Sequence, residues 1–179
     1  TVATPALMRP LAHGADIVVQ SVTKSLCSSG FGVAGAIIAK KNIPAKLDND
    51  ALKADFCTYL KLLPARDYGP NLSPFVCAMV MNDVRTLRMR MDNMSQNTQK
   101  VADFLAGHKH IEKVNYLGLE SHPLHQLAKK YMLLVDSELE SADGRAVNRY
   151  GHLMSFEVKG GAANARRVFD AFEIGRAHV

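Results

Sequence analysis

A short apolar segment that ends in two hydroxyl side chains and a lysine constrains this chain more than any other feature. Residues 16–20 are mostly apolar and β-branched, a pattern that predicts a buried strand. Ser21, Thr23 and Lys24 follow directly, and a glycine-rich stretch separates them from a second predicted strand at 33–40. Open α/β sheets bind their ligands at strand ends, so these three side chains are the predicted centre of the chemistry.

Length and composition bound the fold. With 179 residues the chain has room for one ordinary domain, or for one and part of another. An apolar fraction of 47% is that of a globular protein, and no run approaches the roughly 20 apolar residues of a membrane span. The chain begins at Thr1 and not at methionine, so we expect it to be a fragment of a longer protein.

Charge and cysteine content favour a cytoplasmic protein that does not bind nucleic acid. The net charge of +5 is modest, and its densest cluster, Arg85, Arg88 and Arg90, lies among acidic residues without interleaved aromatic rings. We interpret this cluster as a solvated helix face with some interface contacts. Three cysteines are an odd number without metal-ligand spacing, which fits reduced thiols better than disulfides. Cys27 could be a reactive thiol, but a small core residue is the favoured interpretation.

Helical periodicity dominates the middle of the chain. The spacing predicts an amphipathic helix over 46–62, ended by the next proline, and a loop at 67–71. Ser73 and Pro74 predict the start of a helix over 75–87 that is almost wholly apolar and therefore buried. A long helix follows to residue 105, with a predicted buried stripe made of Leu87, Met91, Met94, Thr98, Val101 and Leu105.

Gly107 marks a predicted domain boundary. Beyond it the pattern predicts a strand at 111–117, a helix at 123–131, an exposed polar loop at 136–150, a strand at 153–159 and a helix at 162–172. Alternating strands and helices suit the start of a small α/β domain, so we predict domains over 1–107 and 108–172. Residues 173–179 break the pattern and are predicted to be an artefactual tail.

Two further motifs could indicate other ligands, and both interpretations are disfavoured. Residues 30–35 fit the GxGxxG pattern of dinucleotide sites, but a predicted strand follows where a helix should begin. Close approach of the backbone near a ligand explains these glycines better. His122 and His125 are three residues apart, as metal ligands on a helix can be, but Pro123 intervenes and no third ligand stands at a suitable offset. We therefore predict structural or interdomain roles for both histidines and no metal site.

The strongest motif is the segment at 10–24, PLAHGADIVVQSVTK. It resembles the cofactor-lysine signature of the Cys/Met-metabolism family of pyridoxal 5′-phosphate (PLP) enzymes. This family includes the cystathionine synthases and lyases, methionine γ-lyase and the O-acyl-homoserine sulfhydrylases. Further matching motifs follow in the family's order and extend the resemblance over residues 1–172: they lie at 72–75, 88–105, 114–119, 121–123 and 153–161.

The resemblance implies a fold and a cofactor. The fold is the type I PLP-dependent transferase fold, an α/β architecture similar to that of aspartate aminotransferase. The chain would supply the C-terminal part of the PLP-binding large domain and the first half of the small domain. Lys24 would hold the cofactor as a Schiff base and, once displaced by substrate, move protons between Cα and Cγ. Ser21 and Thr23 would bind the cofactor phosphate, with structural capping of the turn as the alternative.

The resemblance also implies a reaction on a small amino-acid substrate. Our first choice is γ-replacement of the O-acetyl- or O-succinyl-homoserine sulfhydrylase type; the alternative is elimination by a cystathionine or methionine lyase. Residues 25–35 depart from the family pattern on the substrate side, where a histidine is missing. Family members are tetramers, so the parent protein is expected to be a cytoplasmic homotetramer that binds neither membranes nor nucleic acid.

A function of another class is kept open. The resemblance places an aspartate that pairs with the pyridinium nitrogen just before Thr1, and a substrate-binding arginine beyond the end of the chain. The fragment by itself is therefore expected to be inactive. A degenerate homologue that serves only as an interaction module is the remaining possibility.

Overall fold

The computed structural model describes residues 2–28, 30, 32–41, 43 and 55–172, which form two compact units. The first unit runs to Met91 and takes in Leu133–Val147; the second comprises Asp92–Met132 and the described residues from Asn148 onward. The described helices are α1 (Thr4–Leu7), α2 (Phe56–Leu62), α3 (Pro64–Tyr68), α4 (Pro74–Val84), α5 (Leu87–Ala106), α6 (His125–Tyr131) and α7 (Gly161–Ala171). The described strands are β1 (Ile17–Ser21), β2 (Gly35–Ala39), β3 (Ile111–Asn115) and β4 (Ser155–Val158). The predicted domain limits, 1–107 and 108–172, remain a prediction.

Strands β1 and β2 form an antiparallel pair in the first unit, with Ser21 opposite Gly35. Both predicted strands are thus confirmed, but the expectation that the first is buried is wrong for one of its faces. Val18 and Gln20 are 7% and 5% exposed, whereas Val19 between them is 62% exposed. Successive side chains of a strand point to opposite faces, and the described residues cover only one of them.

Helix α4 is apolar on every side, as predicted, but the expectation that it is buried is wrong. Phe75 and Met81 are 69% and 73% exposed, and the residue of α4 that the fold buries is Asp83. A helix without a polar face needs neighbours all round, and the described residues do not supply them. Where it is covered, Val76 packs so closely that a Cβ added to Gly32 would lie 2.4 Å from a Val76 methyl group.

Helix α5 is confirmed as one long helix, but its buried stripe departs from the predicted one. Met91 is fully buried, as expected. Further along, Ser95 and Ala102 are buried, while the predicted Met94 and Val101 are 38% and 45% exposed. The buried stripe therefore runs one residue beyond the apolar stripe in this part of the helix.

The core of the second unit accounts for this shift. Tyr116 is 2% exposed and forms a buried cluster with Ala102 and Leu119. Its hydroxyl donates a hydrogen bond to the Gly151 carbonyl (3.0 Å), and the Gly151 N–H donates to Ser95 Oγ (3.1 Å). Burial raises the pKa of Tyr116 to about 12, so the phenol keeps its donor proton. Ser95 faces inwards because its hydroxyl accepts a hydrogen bond in this network. Ala102 faces inwards because its small side chain leaves room for the ring of Tyr116.

Strands β3 and β4 form an antiparallel pair in the second unit, within shorter bounds than the predicted strands. The polar segment at 136–150 is mostly exposed, as predicted, but Ser137 is 2% exposed. Its hydroxyl donates to the Leu134 carbonyl (2.6 Å) and accepts the Val147 N–H (2.8 Å). One buried serine therefore anchors a segment that the sequence marks only as polar.

Some predicted elements are described only in part. The predicted helix at 46–62 is described from residue 55, where α2 occupies its last seven residues; its earlier part and the predicted tail at 173–179 lie outside the described residues. The loop predicted at 67–71 begins later than expected, because α3 continues to Tyr68 and ends at Gly69 with a φ of +66°. Among the described helices, none combines the length and the apolarity that crossing a bilayer requires.

Candidate functional site

The predicted site lies where β1 ends. Ser21 is the last residue of the strand, and a wide helical turn over Val22–Leu26 carries Thr23 and Lys24. The first and last residues of this turn are each 8% exposed, and Cys27 after it is 5% exposed. Cys27 is therefore a core residue, as the favoured interpretation predicted. Burial on both sides of Lys24 holds the main chain of the turn in the core of the first unit.

The side chain of Lys24 is exposed, and within the described part of the chain nothing bonds to or pairs with its amine. Its backbone angles (φ −82°, ψ −130°) leave the helical conformation, so the turn changes direction at this residue. A lysine that is to react with an aldehyde needs a main chain that is held in place and an amine that is free to reach the aldehyde. The structure provides both.

The hydroxyl of Thr23 is engaged with the backbone of the next strand. Thr23 Oγ1 accepts the N–H of Ala34 at 2.8 Å and lies 3.2 Å from the Ala34 carbonyl, to which it donates. The Thr23 N–H donates to the same carbonyl at 3.0 Å. This is the capping arrangement that the sequence leaves open as the alternative. To bind a phosphate as well, Thr23 must turn its one hydroxyl proton away from Ala34.

Ser21 offers a second hydroxyl at the same strand end. Its side chain is half-buried, and no residue in the described ranges forms a hydrogen bond with its hydroxyl. An amine and two hydroxyls, one of them uncommitted, are a donor set that fits PLP: the amine suits the aldehyde, and the hydroxyls suit phosphate oxygens. The side chains present at this strand end therefore match the cofactor.

The glycines after the turn have local structural explanations. Gly35 opens strand β2, which confirms that a strand and not a helix follows the GxGxxG pattern. Gly30 has a φ of +66°, a conformation that favours glycine. At Gly32 the close neighbour is the Val76 side chain of α4. The predicted approach of these glycines to a ligand stays a prediction.

Two residues that the sequence does not connect with the site contact the segment after Lys24. Arg90 on α5 donates to the carbonyl of Ser25 (2.8 Å), and the carboxylate of Asp83 on α4 accepts the N–H of Ser28 (2.8 Å). In the segment after Lys24 both partners are main-chain groups, so no side-chain pattern near Lys24 could have indicated these contacts. Sequence reasoning missed them for that reason.

The arginine cluster, interpreted as a solvated helix face with some interface contacts, is solvated only in part. Arg88 Nε donates to the Val135 carbonyl (2.7 Å), and its terminal nitrogen pairs with Glu140 at 2.6 Å. Arg90 bonds to main-chain carbonyls, whereas Arg85 is exposed. Two of the three arginines thus hold segments of the first unit together, because a guanidinium can donate several hydrogen bonds at once.

The two histidines of the second unit use their ring nitrogens within the fold. His125 is 7% exposed, and its Nδ1 lies 2.8 Å from the Leu117 carbonyl. His122 Nδ1 accepts the Leu124 N–H (3.0 Å), so Nε2 carries the proton that it donates to Asn115 Oδ1 (2.8 Å). These bonds are structural roles of the kind predicted for His122 and His125.

A strand-end lysine with a buried main chain, preceded by two hydroxyl side chains, is an arrangement that fits PLP. The chain belongs to the Cys/Met metabolism PLP-dependent enzyme family, whose model matches residues 1–178.

Known proteins similar to the chain include several members of this family. It is 34% identical to the L-methionine gamma-lyase of Porphyromonas gingivalis over 95% of the chain, and 32% identical to the O-acetyl-L-homoserine sulfhydrylase of Leptospira meyeri over 97%. The chain spans only 36% and 42% of the lengths of these two relatives.

A solved structure confirms the fold. A candidate O-acetylhomoserine (thiol)-lyase of Campylobacter jejuni, which contains N'-pyridoxyl-lysine-5'-monophosphate, has a TM-score of 0.78 and 30% identity to the chain. The similarity covers 95% of the chain and 43% of that structure. The fold is therefore the PLP-dependent type I α/β fold, present in part.

Proposed function

We propose that the whole protein containing this chain is a PLP-dependent enzyme of sulfur amino-acid metabolism, with Lys24 as its cofactor lysine. The observation that carries the proposal is the geometry of Lys24: a main chain held in the core and an amine that is exposed and unengaged by any described residue. The favoured reaction is γ-replacement on an O-acetyl- or O-succinyl-homoserine: the Cγ–O bond breaks, acetate or succinate leaves, and a sulfur nucleophile forms a new bond to Cγ. The O-acetyl-L-homoserine sulfhydrylase of L. meyeri supports this choice.

The residues at the strand end have distinct proposed roles. When bound, PLP supplies an electron sink for negative charge that develops at the substrate Cα. The Lys24 amine holds the cofactor and then takes or returns a proton at the substrate carbon. The Ser21 hydroxyl donates to the phosphate, and Thr23 joins it by turning its proton away from the Ala34 carbonyl, while the Ala34 N–H continues to hold its oxygen.

A second reaction has a specific observation in its favour. The L-methionine gamma-lyase of P. gingivalis is 34% identical to the chain and the sulfhydrylase of L. meyeri is 32% identical, so elimination stays the alternative. The two reactions can be distinguished by their products. γ-Replacement on O-acetylhomoserine with sulfide yields homocysteine, and elimination from methionine yields methanethiol, ammonia and a 2-oxo acid.

Localisation and assembly are part of the proposal. All three cysteines are free thiols, which supports a cytoplasmic location. The large apolar side chains exposed on α4 support burial against further protein, in keeping with the proposed homotetramer. The domain limits 1–107 and 108–172 belong to the same proposal.

Covalent trapping tests the role of Lys24. The whole protein is incubated with PLP and reduced with borohydride, and the modified peptide is identified by mass spectrometry. We expect the pyridoxyl group on Lys24, and its loss in Lys24→Ala, whereas Lys40→Ala, which changes an exposed lysine paired with Asp16, should leave it in place. Labelling spread over several lysines, or unchanged in Lys24→Ala, would contradict the proposal.

A further inference from the structure

We propose that Asp83 and Arg90 are positioning residues for Lys24: they clamp the main chain that follows the lysine and so set the point from which its amine acts. The inference rests on the proposed role of Lys24 as the cofactor lysine. Neither residue lies near Lys24 in sequence, since Asp83 belongs to α4 and Arg90 to α5.

The guanidinium of Arg90 joins the turn to the connection between two helices. One terminal nitrogen donates to the Ser25 carbonyl (2.8 Å); the other donates to the carbonyls of Asp83 (3.0 Å) and Leu26 (3.4 Å). Its Nε donates to Thr86 Oγ1 at 3.0 Å. The planar guanidinium has five donors spread over three nitrogens and can hold both sides at once, whereas the three donors of a lysine ammonium share one nitrogen and do not reproduce this arrangement.

Asp83 holds the same segment further along the chain. It is 7% exposed, and its Oδ2 accepts the N–H of Ser28 at 2.8 Å. Burying a carboxylate is costly unless hydrogen bonds compensate for its lost hydration. On a helix whose only other polar side chain is that of Asn82, this buried acid therefore has a specific role, because it fixes a main-chain amide four residues after Lys24.

The clamp completes a pair of anchors around Lys24. Before the lysine, Thr23 is tied to Ala34 by three hydrogen bonds of 2.8 to 3.2 Å. After it, Arg90 holds the carbonyl of Ser25, the next residue. Loss of the second anchor lets the turn shift, and a displacement of about 1 Å near a reacting group can cost roughly a hundredfold in rate.

The first test changes Arg90 in the whole protein and uses PLP itself as the probe. Arg90→Lys keeps the positive charge and removes the planar set of guanidinium donors. We therefore expect the borohydride-trapped adduct on Lys24 to form at least about tenfold more slowly. Arg66→Lys is the matched control: Arg66 is exposed and pairs with its neighbour Asp67. It should form adduct at the wild-type rate.

The second test follows the main chain by hydrogen exchange without PLP. Asp83→Ala removes the acceptor of the Ser28 N–H, and we expect that amide to exchange roughly tenfold faster, as the loss of one charge-assisted hydrogen bond implies. Asp83→Asn keeps an acceptor oxygen and should restore most of the protection. Asp67→Ala, at an exposed position, should change nothing at Ser28.

The outcomes separate the two proposals. Failure of the wild-type protein to form an adduct on Lys24 would overturn the proposed function, while the exchange data would still decide whether the clamp holds the turn. Unchanged exchange at Ser28 would overturn the clamp. Faster exchange with an unchanged rate of adduct formation would overturn the positioning role, because the contacts would then be structural only. If Asp83→Ala does not fold, Arg90→Lys decides the question: adduct formation on Lys24 at the wild-type rate in that variant would overturn the positioning role.

Discussion

His152 is a half-buried residue in the second unit, and burial lowers the pKa of its imidazole below its ordinary value of 6.5. The folded state therefore prefers the neutral ring. Between the lowered pKa and 6.5 the unfolded chain binds more protons than the folded one, so the free energy of unfolding rises with pH in that window. This contribution is fully present above pH 6.5 and is lost as the pH falls through the lowered pKa.

We predict that acidification from pH 7.5 to 5.5 lowers the thermal midpoint of the whole protein, and that His152→Gln makes the decrease smaller. Glutamine removes the titration and keeps a polar side chain of similar length. The two proteins are compared by differential scanning calorimetry at both pH values. Equal decreases in the two proteins would show that the burial of His152 has no part in the pH dependence.

At the scale of the element, the buried face of α5 can be tested by comparing substitutions at Ala102 and at its exposed neighbour Val101. Ala102 is 0% exposed and belongs to the buried cluster with Tyr116, whereas the neighbouring Val101 is 45% exposed. Ala102→Leu forces three extra carbon atoms into a filled core and should lower the free energy of unfolding by about 1–3 kcal/mol. Val101→Leu adds one carbon on an exposed face and should change stability by less than about 0.5 kcal/mol.

Chemical denaturation of the two variants measures the difference. Had the apolar pattern of the sequence set the buried face, Val101 would lie inwards and the order of the two effects would be reversed. Equal stabilities for Ala102→Leu and Val101→Leu would contradict the packing of Ala102 against Tyr116.

At the scale of the whole molecule, exposed apolar surface governs the behaviour of the isolated chain. Val19, Phe75, Phe104 and Phe169 are each more than 60% exposed. In the second unit an open, largely apolar groove of about 580 Å³ runs between β3, β4 and α7. Surface of this kind is covered by other protein in most soluble assemblies.

We predict that the 179-residue chain, expressed by itself, self-associates. Analytical ultracentrifugation should show large, heterogeneous species, and the double variant Phe75→Ser/Met81→Ser should reduce them, because it removes two exposed apolar side chains from α4. The exposed pair Arg66→Ser/Asp67→Ser serves as a control that removes no apolar surface. A monomer that unfolds in one cooperative transition would disprove the prediction.

The elements were more predictable than their environments. Periodicity located β1, β2, α4 and α5, because local backbone preference and side-chain spacing are properties of a short window. Burial was mispredicted at Val19 and along α4, since exposure depends on which neighbours arrive from other parts of the chain. The hydrogen bonds between Thr23 and Ala34 could not be predicted with certainty from the sequence, because they depend on how the two strands pair.

Sequence alone determined the family, the cofactor and the candidate lysine, because these depend on a contiguous motif whose side chains carry the chemistry themselves. Tertiary structure alone decided that Asp83 and Arg90 contact the segment after that lysine and that Ser95 and Ala102 form the inner face of α5. In each case a side chain meets a main-chain group or a ring more than ten residues away. Main-chain groups are the same in every residue, so a sequence does not mark which of them a distant side chain will bind.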